Sequence, residues 1–159
     1  MQNLVSKKEE EERRLKALAE YRILGTKPES CYDDITKIAA TTCNVPISLM
    51  TLVDKDKQWF KSKIGLQISE TRRDWSFCTH AIKENSPLII HDAFQDERFI
   101  NNPLVTGDPK IRFYAGFPLR NSDGNKLGTL CVIDRKPGNL TTQQFNIMEL
   151  LSKQIVSFL

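Results

Sequence analysis

Apolar positions along the chain follow two kinds of repeat, one helical at the ends and one extended in the middle. Near the N-terminus the charged run KKEEEERR is broken by Leu15, Leu18 and Ala19, then Ile23. The spacing i, i+3, i+4, i+8 puts these on one face of a helix over residues 7–22. The stripe is narrow and the other faces are charged, as in a helix that pairs along one seam or lies on a domain surface. Gly25-Thr26-Lys27-Pro28 ends it. Ser30 is placed to cap a second helix running to about Thr42, with Asp33 at its third position and Ile35, Ile38 and Ala39 facing inward.

The period then changes. Pro46 to Val53 is almost continuously apolar, as in a central strand covered on both faces. Asp54-Lys55-Asp56-Lys57 gives a tight turn, and Gln58 to Ser62 returns as the second arm of a hairpin. Residues 65–75 read as an irregular loop, Phe77 to Glu84 as a short helix and Leu88 to Ile90 as a short strand. Residues 92–110 are rich in Asp, Asn, Pro and Gly, and a loop of that length within a compact domain is functional or disordered. Arg112 to Leu119 alternates, with Phe113, Ala115, Phe117 and Leu119 on one face. A turn at Asn121 to Asn125 leads to a return strand, Leu127 to Ile133. Thr141 caps a last helix whose apolar face includes Ile147, Leu150, Leu151, Ile155 and Phe158.

This order predicts an α+β domain with an antiparallel sheet of five or six strands. Terminal helices cover one face, and loops with a short helix enclose a pocket on the other. Residues 1–28 are expected to form an N-terminal amphipathic helix and linker, and 29–159 the core with the C-terminal helix. The sequence is apolar up to Leu159, so the expectation is that the natural chain continues into an output domain.

The 159 residues suit one domain, which buries roughly 68–70% of its unfolded surface without needing a disulfide or metal. The net charge is +3, from 23 basic and 20 acidic residues that are interspersed, which weighs against a nucleic-acid face. Apolar runs fall far short of the roughly 20 residues of a membrane span, and the N-terminus has no apolar signal segment. A cytoplasmic protein is expected. Cys31, Cys43, Cys78 and Cys131 form no CxxC pair, so buried free thiols are expected instead of a metal or redox motif.

Taken in order, several strings resemble the GAF domain, a PAS-related fold. They are LAEYRIL from Leu18, YDDITKIAA from Tyr32, PISLMTLVDKDKQW from Pro46 and SFCTHA from Ser76. His91-Asp92-Ala93, DERF from Asp96, RFYAG from Arg112 and GTLCVID from Gly128 follow. The resemblance covers about residues 15–158. It implies a sensory module with no catalytic chemistry of its own, which binds a small molecule or forms a homodimer. Such a module signals through its terminal helices to an output domain such as a histidine kinase of a two-component system or a diguanylate cyclase. It implies no identity for the ligand and requires no cofactor. Some GAF domains attach a bilin to a cysteine followed directly by histidine, whereas here Thr79 separates Cys78 from His80. Neither bilin nor haem is expected.

The pocket candidates are Trp75, Phe77, Cys78, His80, Asp92, Phe99, Tyr114, Gly116 and Cys131. Cys78 offers a soft nucleophile and His80 a polar contact near neutral pH. The plainer alternative has Phe77 and Cys78 plugging the core. Asp92, Asp96 and Arg98 either orient a polar ligand or, as is commoner, order the loop. Gly116 leaves room for a ligand or only allows close packing. Cys131 is a buried thiol, and a redox role opens if it meets Cys78. Leu15, Leu18, Ile155 and Phe158 are the candidate dimer and signalling positions. Two alternatives stand beside the sensory reading: a thiol-dependent enzyme like free methionine-(R)-sulfoxide reductase, and a purely structural dimerisation module with a collapsed pocket.

Overall fold

The computed structural model describes residues 6–159. Helix α1, Lys7–Glu20, starts at Ser6, whose hydroxyl accepts from the Glu9 amide. Its inner face is Arg14, Ala17 and Leu18, with Leu15 half-buried and Ala19 exposed. The apolar stripe is thus rotated by about one position from the expected one, because the buried Arg14 joins it. Arg14 is accommodated because its guanidinium donates to the Val53 carbonyl at 2.6 Å and forms two 2.9 Å bonds to Glu11. Buried charge persists only when paired in this way.

Helix α2, Ser30–Cys43, begins one residue earlier than expected. Glu29 is its N-cap, and makes no side-chain capping bond, so Ser30 is already helical. The helix closes at Asn44 in the left-handed conformation, where asparagine is well tolerated. Ile38 points outward, and Tyr32, Ile35, Thr36 and Ala39 face the sheet instead.

The sheet has six strands, all adjacent pairs antiparallel: β1 Ile47–Val53, β2 Lys57–Ile64, β3 Glu70–Arg72, β4 Leu88–Ile90, β5 Phe113–Arg120 and β6 Lys126–Asp134. Their order is β3-β2-β1-β6-β5-β4. Every residue of β1 is buried, as its continuous apolar run requires. β3, followed by a 3-10 turn over Arg73–Trp75, lies within the segment expected to be irregular. It has only three residues and sits at the sheet edge, too short to show a period. Opposite Met50, β2 carries an extra residue, Lys61. This bulge turns Lys61 and Ser62 toward the start of α2. The Lys61 ammonium donates to the Thr26 hydroxyl and the Lys27 carbonyl and pairs with Glu29 at 2.7 Å, while Ser62 donates to Asp33.

Two apolar layers sandwich the sheet. Behind it, α1, α2 and α5 (Thr142–Phe158) pack Leu18, Ile35, Met148 and Ile155 on Phe113, Ala115, Phe117 and Leu119 of β5 and on Leu130 and Val132 of β6. A full capping box at Thr141 and Gln144 starts α5. Its buried line runs through Met148, Ser152 and Ile155, whereas Leu150 and Phe158 stay exposed. In front of the sheet lie α3 (Phe77–Ala81), α4 (Pro103–Thr106) and the connecting segments. The segment 92–110 is ordered. It holds a 3-10 turn over Ala93–Gln95 and α4, and buries Phe99 and Val105 completely.

Candidate functional site

The front layer is built on alternate residues of the central strands. Period-2 alternation sends Leu49, Tyr114, Cys131 and Ile133 forward, while their neighbours pack on the helices. Helix α3 is fixed above them. The Ser76 hydroxyl accepts from the Thr79 amide and donates to Gln58 at 2.6 Å, and the Thr79 hydroxyl donates to the Arg73 carbonyl at 2.9 Å. These bonds aim the Cys78 side chain at the sheet.

Cys78 Sγ meets two hydroxyls there. The Thr129 hydroxyl donates to it at 3.1 Å, and the Tyr114 hydroxyl lies 3.2 Å away. Thr129 in turn pairs with the Thr51 hydroxyl at 3.0 Å, so a buried polar chain runs across β1, β6 and β5. Cys131, two residues beyond Thr129 on the same face, neighbours Cys78. Burial raises the Cys78 thiol, while the polar groups around it, among them the hydroxyls of Thr129 and Tyr114 on its sulfur, pull it down, leaving it the more acidic of the two cysteines. Burial and the adjacent Cys78 push Cys131 well above an ordinary thiol, and burial does the same to the Tyr114 phenol. All four cysteines are free thiols.

The sequence candidates are thus largely brought together. Phe77, Cys78, Tyr114 and Cys131 line one cavity between sheet and loops, bounded outside by Leu66 and Ile68. It holds about 20 Å³, which is room for about one water, since that needs roughly 10–15 Å³. Phe99 stacks on Phe77 at 4.0 Å and closes the cluster from above. Gly116 gives up its side-chain space to the Tyr114 ring. His80 is half-buried, edge-on to Phe99 at 4.9 Å. Burial, then Lys83 and Arg98, lower its pKa against an opposing pull from Asp96. Trp75 packs at the margin under the Arg72 guanidinium, and its carbonyl accepts from Asn102.

The acidic candidates order the loop. Asp92 accepts from the Phe94 amide at 3.0 Å, and Asp96 forms a two-pronged pair with Arg98. Arg112 stacks its guanidinium on Phe94 at 3.5 Å and donates to the Val105 carbonyl. Sequence reasoning missed Thr51, Thr129 and Gln58. The sequence offered only a partial signal: Thr51 and Thr129 interrupt apolar strands at positions sharing a face with Leu49 and Cys131, but their meeting depends on the pairing of β1 with β6.

The chain matches the sequence model of the GAF domain over residues 27–158. It belongs to the GAF domain family. This GAF domain is 37% identical over 150 residues to a cyclic di-GMP phosphodiesterase of Pseudomonas aeruginosa, aligning 94% of the chain with 26% of that protein. The chain therefore spans about a quarter of its relative's length. The GAF domain of a phosphoenolpyruvate-protein phosphotransferase from Acinetobacter superposes with a TM-score of 0.63 at 15% identity, covering 96% of this chain and 93% of the other. A type II free methionine-R-sulfoxide reductase from Thermoplasma acidophilum gives 0.66 at 11% identity, covering 88% and 93%. At such identities the likeness establishes a shared fold and nothing further. Among the described residues, no group of three or more His, Cys, Asp or Glu is arranged to hold a metal, and no helix is long and apolar enough to cross a membrane.

Proposed function

We propose that this GAF domain is the non-catalytic regulatory module of a larger signalling protein. It reads a small molecule or chemical change in the space under Tyr114 and Cys131, and passes the signal through α1 and α5. One observation carries this reading: β5 and β6 line the cavity with one face and bear the terminal helices with the other. Tyr114 and Cys131 face the cavity, while Phe113, Ala115, Leu130 and Val132 hold Leu18, Met148 and Ile155 behind. A guest that favours one sheet curvature thus favours one seating of the helices, by no more than its differential affinity for the two states.

The name of the Pseudomonas relative suggests cyclic di-GMP hydrolysis as the output class, with a histidine kinase or diguanylate cyclase as the alternatives. A homodimer paired through the helical layer suits this role. Leu150 and Phe158 on α5 and Ile38 on α2 leave apolar side chains exposed there.

A thermal-shift screen of metabolites tests the binding step, because a ligand of the folded state raises stability by mass action. The expected hit also changes hydrogen-exchange protection along α5. Ligands that raise Tm while leaving α5 untouched overturn the transmission step. The small cavity favours a second reading, a structural dimerisation module, which predicts no hit at all.

A further inference from the structure

The buried chain of Thr51, Thr129, Cys78 and Tyr114 is more than a core needs. An apolar residue at each position would fill the same volume without desolvating three hydroxyls and a thiol, and buried polar groups are costly unless fully partnered. The hydroxyls of Thr129 and Tyr114 both converge on one sulfur, with a second thiol beside it. The cavity lined by both cysteines has room for about one water-sized molecule. Its outer wall, Leu66 with the 46% exposed Ile68, belongs to the segment between β2 and β3. A thiol pair that borders a water-sized space, with two hydroxyls aimed at one of its sulfurs, suits one class of small oxidant.

We propose that Cys78 and Cys131 are a dithiol oxidised by hydrogen peroxide. The Cys78 thiolate attacks one peroxide oxygen, the O–O bond breaks, and the leaving hydroxide takes a proton to become water, leaving a sulfenic acid on Cys78. The Cys131 sulfur then attacks Cys78 Sγ, forming the disulfide and expelling the sulfenic oxygen as a second water, which carries the Cys131 proton. Two thiols and one peroxide give one disulfide and two waters. The Thr129 and Tyr114 hydroxyls stabilise the attacking thiolate. Cys131, whose thiol titrates later, stays protonated until the sulfenic acid forms. The oxidation stands on the cavity alone, and rests on the proposed sensory role only for its consequence in the helices.

The test uses the Cys31→Ser, Cys43→Ser double variant, which leaves only this pair. It is treated with equimolar hydrogen peroxide, quenched, unfolded and alkylated. The expected product is about 2 Da lighter than the starting protein, takes up no alkylating label, and regains two labels after reduction by dithiothreitol. In the further Cys131→Ala variant, a dimedone adduct on Cys78 is expected in place of the disulfide. If that variant fails to fold, Cys131→Ser serves for the same readout. Two retained labels, or a stable gain of about 16 or 32 Da on either cysteine, overturn the proposal. Tert-butyl hydroperoxide, too bulky for the cavity, should react more slowly, and equal rates overturn the assignment of this route. Disulfide formation that leaves α5 protection unchanged retains the oxidation and removes the sensory reading. A metabolite that shifts α5 while the thiols resist peroxide does the reverse.

Discussion

The phenol of Tyr114 lies across the position that a side chain on Gly116 would fill. Both residues face forward on β5, and a Cβ on Gly116 would stand 2.6 Å from Cζ of that ring. The glycine is what lets the tyrosine fold back along its own strand and present its hydroxyl to Cys78. Gly116→Ala should therefore destabilise the domain by about 1–3 kcal/mol, the usual cost of overpacking a filled core. Adding Tyr114→Leu should recover part of that loss. Urea unfolding of the two single variants and the double gives the coupling energy, and strictly additive costs would show that the ring is not what occupies the space.

The Tyr114 hydroxyl also lies 3.2 Å from Cys78 Sγ, where it can donate to the sulfur when that is ionised. Tyr114→Phe removes a donor from it at a stability cost of about 1 kcal/mol. The sign for Cys78 follows from which form the donor favours. A hydrogen bond to sulfur lowers the thiol pKa, so its loss must raise it, and the thiolate should appear at higher pH. Thr129→Val should act in the same direction. Ultraviolet absorbance of the thiolate against pH, in the background lacking Cys31 and Cys43, reads this directly. An unchanged titration in both variants would mean that the hydroxyls do not stabilise the sulfur.

The antiparallel sheet and its two hairpins, β1–β2 and β5–β6, were legible in the sequence because alternation and turn chemistry are local, whereas the pairing of β1 with β6 that sets the strand order is not. Phe113, Ala115, Phe117 and Leu119 announce one buried face, and the turn from Asn121 to Asn125 forces the antiparallel return. Helix faces were less legible. Met148 and Leu150 are both apolar, yet α5 buries the first and exposes the second. A three-residue strand such as β3 carries no period to detect. The site was half visible: the aromatic and thiol side chains stand out, whereas Thr51 and Thr129 become meaningful only once β1 and β6 pair residue for residue at that point. That Tyr114 takes the space of Gly116 depends on a rotamer that no spacing rule supplies.

Acid should loosen the seating of α1. Burial raises the Glu11 carboxyl, but hydrogen bonds from Arg14 and Arg73 outweigh it and hold the pKa at about 2, from an ordinary 4.5. Arg73 belongs to the turn leading into α3, so this carboxylate links the N-terminal helix to the front layer. A lowered carboxylate pKa stabilises the fold fully above the ordinary value, and the contribution is lost as pH falls from about 4.5 toward 2. The side chain is one-third exposed, so screening leaves about 1 kcal/mol. Glu11→Gln should cost that much at neutral pH and flatten the stability curve across this acid window. An unchanged acid limb in chemical denaturation would assign the acid sensitivity elsewhere.

The helical layer offers a clean separation between folding and pairing. Leu18 is buried against its own sheet. Leu18→Ala should therefore cost about 2–5 kcal/mol by leaving a cavity, and a charge there would unfold the domain before reporting on association. Leu150 is 64% exposed on α5, so Leu150→Glu removes little from the monomer. If the proposed homodimer forms through this layer, the wild type should run at twice the chain mass in light scattering. Leu150→Glu should then return it to the monomer mass with Tm nearly unchanged. A wild type that stays monomeric at high concentration would end the helical-dimer proposal. A dimer indifferent to both Leu150→Glu and Phe158→Glu would move the interface to another face.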